Sequence, residues 1–140
     1  MTLIKYGAAI AIIGGIAVAV WQTRTPNPAQ QVQSLALAEV TLPASLSDNA
    51  KIGKVGFEAN CASCHGLNGA GQDGIAPPLI HKIYEPSHHG DEAFQRAAAF
   101  GVQAHHWRFG NMPPVAGLSR ADVAMIVDYI REVQRANGIN

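Results

Sequence analysis

The chain contains two cysteines, Cys61 and Cys64, and His65 follows the second directly. Cysteines three residues apart lie about one helical turn from each other. Their thiols can therefore meet two vinyl groups on one edge of a porphyrin, and the next residue is carried beneath the ring. An imidazole there can ligate the iron. The pattern Cys-x-x-Cys-His thus points to covalent c-type haem attachment. A redox dithiol, a disulfide or half of a zinc site would also use two cysteines, but none of these needs the histidine. A zinc site would need further ligands, and there is no second cysteine pair to supply them.

Several segments must position this motif. Gly66, Gly69, Gly71 and Gly74 form a loop after His65 that can wrap closely around a ring edge. A phosphate loop is excluded, because no Gly-Lys-[Ser/Thr] follows and no strand precedes. Upstream, Asp48 is a candidate N-cap for a helix over about 49–60, with Ile52, Gly53, Gly56 and Phe57 facing inward. Glycines inside a helix need a reason, and a close helix crossing provides one. Downstream, Ser119 to Asp122 resembles a capping box. Val123, Ile126, Val127, Ile130 and Val133 then recur at helical spacing, which predicts a helix over about 120–137 with Gly138 just past its end. Tyr129 lies near the apolar face and could pack on Gly53 or Gly56. A third helix is expected over 91–100, with Asp91 as N-cap and Phe94, Ala97 and Ala98 turned inward.

The 140 residues have room for one domain and appendages. Ten basic residues balance ten acidic ones, so there is no basic stripe for nucleic acid. Steering by net charge is weak. Residues 1–21 read as a membrane anchor or signal segment: Tyr6 to Trp21 carries no charge, and Leu3 and Ile4 extend the apolar run past Lys5. A cleaved signal peptide is the rival, with Ala17-Val18-Ala19 fitting the cleavage pattern. Residues 22–48 hold Pro26, Pro28 and Pro43 and read as a flexible linker, with a short helical turn possible over 34–40. Residues 49–140 form the folded domain.

Residues 51–137 resemble a class I monohaem cytochrome c. The resemblance rests on Gly53-x-x-x-Phe57, Cys61-x-x-Cys64-His65-Gly66, Pro77-x-Leu79, Asn111-Met112-Pro113-Pro114 and the final amphipathic helix with Tyr129. It implies an all-α fold of three to five helices around one covalent haem c, here preceded by a single N-terminal transmembrane helix. It also implies that the Pro77 carbonyl accepts the second ring N–H of His65, which fixes the imidazole, and that Leu79 packs on the haem face. Met112, before two prolines in the loop ahead of the last helix, is the expected sixth ligand. His/Met ligation raises the reduction potential and leaves no open coordination position, which suits electron transfer. The expected protein is a single-electron carrier, not an enzyme, in a bacterial inner membrane with its haem domain in the periplasm, or soluble there after signal cleavage. Its expected partners are a quinol–cytochrome c reductase, an oxidase or a dehydrogenase, meeting it near Ala62, Ser63 and the Met112 loop. It could also be the cytochrome subunit of an oxidoreductase.

Between these motifs the chain gathers histidines: His81, the pair His88 and His89, and the pair His105 and His106. The two pairs flank the predicted 91–100 helix and could converge on one edge. They could form a copper or zinc site, supply a histidine that replaces Met112 on the iron, or be solvated, with one bonding a haem propionate. Trp107 and Arg108 could reach the propionates as an N–H donor and a charge partner, or Trp107 could be core. Two other functions fit the same residues. One is a haem enzyme or gas-sensing subunit with a displaceable sixth ligand. The other is a copper-handling protein with a histidine-rich site.

Overall fold

The structure is a computed structural model that describes residues 35–140. The segment over 1–21 and the first part of the 22–48 stretch lie outside the described residues. Among the described residues, no helix is long and apolar enough to cross a membrane.

Four α-helices occur in this part of the chain: α1 (Asp48–Asn60), α2 (Ala62–His65), α3 (Asp91–Phe100) and α4 (Arg120–Ala136). Single 3-10 turns lie at Leu67–Gly69 and Lys82–Tyr84. The described residues contain no strands, only isolated bridges between Gln72 and Ala76 and between Val102 and Met112.

The crossing of α1 and α4 forms the frame. Gly53 makes it possible, because a Cβ there would overlap the Met125 carbonyl. Gly56 faces Ile126, and a Cβ there would stand 3.1 Å from Ile126 Cγ1. Tyr129 packs against Phe57, with ring centroids 5.7 Å apart. Phe57, Tyr129, Ile130 and Val133 are all fully buried, which is worth about 1.5–3 kcal/mol for each large apolar side chain. Because the crossing point is Gly53, the inward face runs through Ala50, Gly53 and Phe57. Ile52, expected inside, is turned about 100° away from Gly53 and is 57% exposed.

The helix caps differ by one residue from the expectation at two sites. Ser47 caps α1, its Oγ accepting from Ala50 N at 3.2 Å, and Asp48 is the first helical residue. Gly90 precedes α3, and Asp91 opens it. In both places the carboxylate sits in the first turn, where it faces the positive end of the helix dipole. At α4 the capping box forms as expected between Ser119 and Asp122.

The described part of the 22–48 stretch does not form a free tether. Ala70 O accepts from Leu37 N and Ala38 N, Leu35 O accepts from Asp73 N, and Thr41 exchanges two hydrogen bonds with the Asn137 side chain. Val40 and Leu46 pack against the core, and no helical turn forms among residues 35–40. Backbone groups of the 67–73 loop and the Asn137 side chain, just past α4, take up this segment's hydrogen bonds.

Candidate functional site

α1 ends at Asn60, and Cys61 begins the single turn α2 that carries Cys64 and His65. Cys61 is half-buried, Cys64 is exposed and His65 is buried. Burial, followed by the charge of Cys64, pushes the Cys61 thiol up to about 11. A redox dithiol needs the opposite, a depressed thiol pKa.

His65 Nδ1–H donates to Pro77 O at 2.9 Å. The acceptor is a carbonyl, so the proton is on Nδ1 and the Nε2 lone pair is free for a metal. Burial holds the His65 pKa below its usual value, against the pull of the Pro77 bond, so the ring is kept neutral as a ligand must be. The loop that delivers Pro77 is tightly folded. Gly71 N donates to His65 O at 2.7 Å, and a Cβ at Gly71, whose φ is +76°, would come within 2.5 Å of Pro78 N. Gln72 is buried, and its amide donates to Ser63 O at 2.9 Å and to Ala62 O at 3.3 Å, closing the end of α2.

Met112 is held by a different device. Its N–H and C=O both pair with Val102, each at 2.9 Å. Asn111 Oδ1 accepts from Ala104 N at 2.9 Å, and Val115 N donates to Ala98 O at 2.8 Å. The loop before α4 is thereby pinned to the end of α3.

Cys61, Cys64, His65, Pro77, Leu79 and Met112 all line one cavity of about 900 Å³. This is near the upper end of the roughly 300–1,000 Å³ typical of ligand sites. Its remaining wall is largely apolar, from α1, α3 and α4. Trp107 also lines it, with an indole Nε1 that is buried and has no hydrogen-bond partner. Tyr84 OH lies near enough that the indole N–H opposes the burial that raises the phenol's pKa, but the two do not reach hydrogen-bonding geometry. A flat, mostly apolar macrocycle with thiol-reactive edge groups and acidic arms fits this donor set, and the free indole N–H is suited to one of the arms.

Arg108 is not part of the cavity wall. Its neighbours Trp107 and Phe109 stack at 5.9 Å and both face the cavity, which leaves Arg108 exposed between them. Phe109 is a wall residue that the sequence did not single out.

The two histidine pairs do converge. Nitrogen atoms of His88, His89 and His106 lie within 4.8 Å of one another, and the His105 ring centroid is 4.2 Å from that of His106. Partial desolvation, and then the neighbouring rings of His105, His89 and His88, keep the His106 pKa below its usual value. His81 is not in the cluster. It meets the Trp107 ring edge-on at 5.1 Å, and its Nδ1 accepts from Ile83 N.

Arg131, on α4, has no counterpart among the residues expected from sequence. The residue is 6% exposed, and its guanidinium lies over the Phe94 ring at 4.9 Å. It donates to Asp91 Oδ1, Tyr84 O, Gln134 Oε1 and His89 O. Gln134, fully buried, donates to Leu79 O at 2.9 Å. These two side chains tie α4 to the segments bearing Leu79 and His89. The sequence offered one clue, two polar residues on the apolar stripe of the last helix.

Comparison with known proteins yields two matches. The family model described as Cytochrome c matches residues 50–134, more than half of the chain. A curated protein of Azorhizobium caulinodans, the cbb3-type cytochrome c oxidase subunit FixP, is 32% identical over 94 residues, which is 60% of this chain and 29% of that protein. The chain thus spans less than a third of that relative's length. No solved structure matches.

Proposed function

The chain belongs to the cytochrome c family, with haem c bound covalently and Cys61 and Cys64 in position for its attachment, and on that premise we propose that it carries single electrons with His65 and Met112 as the iron's axial ligands. Haem-based electron transfer is the chemistry of the family matched here. When bound, the haem supplies a one-electron couple. The protein's own residues keep that couple from becoming a reaction site. Pro77 O holds the proton on His65 Nδ1, which leaves Nε2 as the donor. The Val102 bridge holds the Met112 backbone at the wall of the same cavity, and this is the observation that carries the reading. A Met112 thioether held there would keep water and small ligands off the iron and would favour its reduced state.

The carrier acts at the periplasmic face of a bacterial membrane. The uncharged run from Tyr6 to Trp21 supports an anchor there. Its partners are respiratory complexes, and the similarity to a cbb3-type oxidase subunit favours an oxidase of that class, with this chain as its electron donor or as a component. Half-buried Ala62 and exposed Ser63, with the Met112 loop, form the docking edge. Encounters there are small and short-lived.

Replacing Met112 with alanine tests the ligation. The ferric protein should lose the weak long-wavelength absorption that a thioether ligand gives, and its reduction potential should fall. An unchanged spectrum and potential would remove Met112 from the iron.

A further inference from the structure

We infer that His88, His89 and His106 form a second metal site, apart from the haem iron, which takes one divalent transition-metal ion, Cu2+ in preference to Zn2+. The inference goes beyond the electron-carrier reading and does not depend on it.

Three observations carry it. First, nitrogen atoms of these three side chains already lie within 4.8 Å of one another. A metal bonded to imidazole at about 2.0–2.1 Å spaces tetrahedral ligands about 3.3 Å apart. His88 and His106 are exposed and can close the difference by rotating. Second, the tautomer of His89 is fixed. Its Nδ1–H donates to Ile83 O at 2.6 Å, which leaves Nε2 with a free lone pair. His105 is oriented in the same way by Gln103 O at 2.8 Å, and its ring centroid lies 6.2 Å from that of His89. A metal-binding histidine characteristically donates its second N–H to a carbonyl in this manner. Third, the backbone beneath the cluster is braced, because Arg131 donates to His89 O from its buried position on α4. Four exposed or half-exposed imidazoles placed for solubility alone would not need such bracing.

The donor set decides the ion. An all-imidazole site suits copper and zinc, and disfavours magnesium and calcium, which prefer oxygen ligands. Among divalent ions Cu2+ binds such a site most tightly. The site also borders the haem cavity, because His89 and His106 line its wall.

The test uses the untagged, haem-loaded full chain, since all six histidines are native ones. It would be equilibrated with Cu2+ or Zn2+ alone and the bound metal counted after dialysis. One equivalent per chain is expected, with Cu2+ bound at least tenfold more tightly than Zn2+. His88→Ala, at an exposed side chain outside the cavity wall, should weaken Cu2+ binding at least tenfold with an unchanged haem spectrum, whereas His81→Ala should bind as the parent does. Both replaced side chains are exposed, so the haem spectrum reports directly that the fold is kept. No retained metal, a loss smaller than tenfold in His88→Ala, or an equal loss in His81→Ala would overturn the site.

Discussion

Arg131 shows how much one buried polar side chain can organise. Removing it leaves the His89 carbonyl and the Gln134 amide oxygen short of donors, while Tyr84 O keeps the longer bond from Gln134 Nε2 and Asp91 is exposed enough to be solvated. Each unsatisfied buried group costs about 1–3 kcal/mol. Arg131→Met should therefore destabilise the holoprotein by about 2–4 kcal/mol in denaturant unfolding. It should also weaken metal retention by the histidine cluster, because His89 loses its backbone brace. Cys61, Cys64 and His65 stand out in the sequence as a contiguous motif and Met112 by its place between a glycine-led turn and two prolines, and the fold brings all four to one cavity. Arg131, Gln134 and Gln72 do not stand out, because each acts on carbonyls that only the folded chain brings near. Arg108 was assigned to the site by its position next to Trp107. Adjacent residues in an extended loop point in opposite directions, and that sends Arg108 into solvent.

At the scale of elements, the crossing of α1 and α4 separates two glycines that look alike in sequence. At Gly53 the obstacle to a Cβ is the Met125 backbone, which cannot move without shifting α4. Gly53→Ala should cost about 3 kcal/mol or more. At Gly56 the obstacle is the flexible end of Ile126. Gly56→Ala should stay within about 1 kcal/mol of the parent, because the gain in helix propensity offsets the crowding. Equal thermal shifts for the two variants would show that the crossing is not set at Gly53. The capping box at α4 makes a smaller claim: Ser119→Ala should lower stability by about 1 kcal/mol. Helix positions were legible because their apolar periodicity and caps are local signals. The rotation of α1 was not, since whether Ala50 or Ile52 faces inward depends on which glycine lies at the crossing.

For the whole molecule, residues 35–47 belong to the folded unit, although their composition reads as a tether. Alternating exposed and half-exposed residues from Leu35 to Val40 give a weak signal, and the partners lie far along the chain at Ala70, Asp73 and Asn137. A haem-loaded chain beginning at residue 48 should melt several degrees below one beginning at residue 35, since it exposes the surface covered by Val40 and Leu46. The balanced charge of the chain, ten of each sign, makes a further distinction. Electron exchange with a partner should depend only weakly on ionic strength, with any dependence arising from local patches. Electron transfer without bond-making requires an iron that is closed on both sides and changes only its charge. The most direct measurement is the visible spectrum of the reduced holoprotein under carbon monoxide. No change is expected in the parent protein, and ready binding is expected in Met112→Ala. Rapid, stoichiometric binding to the parent would contradict this and mark the sixth position as a site for a substrate or a sensed gas.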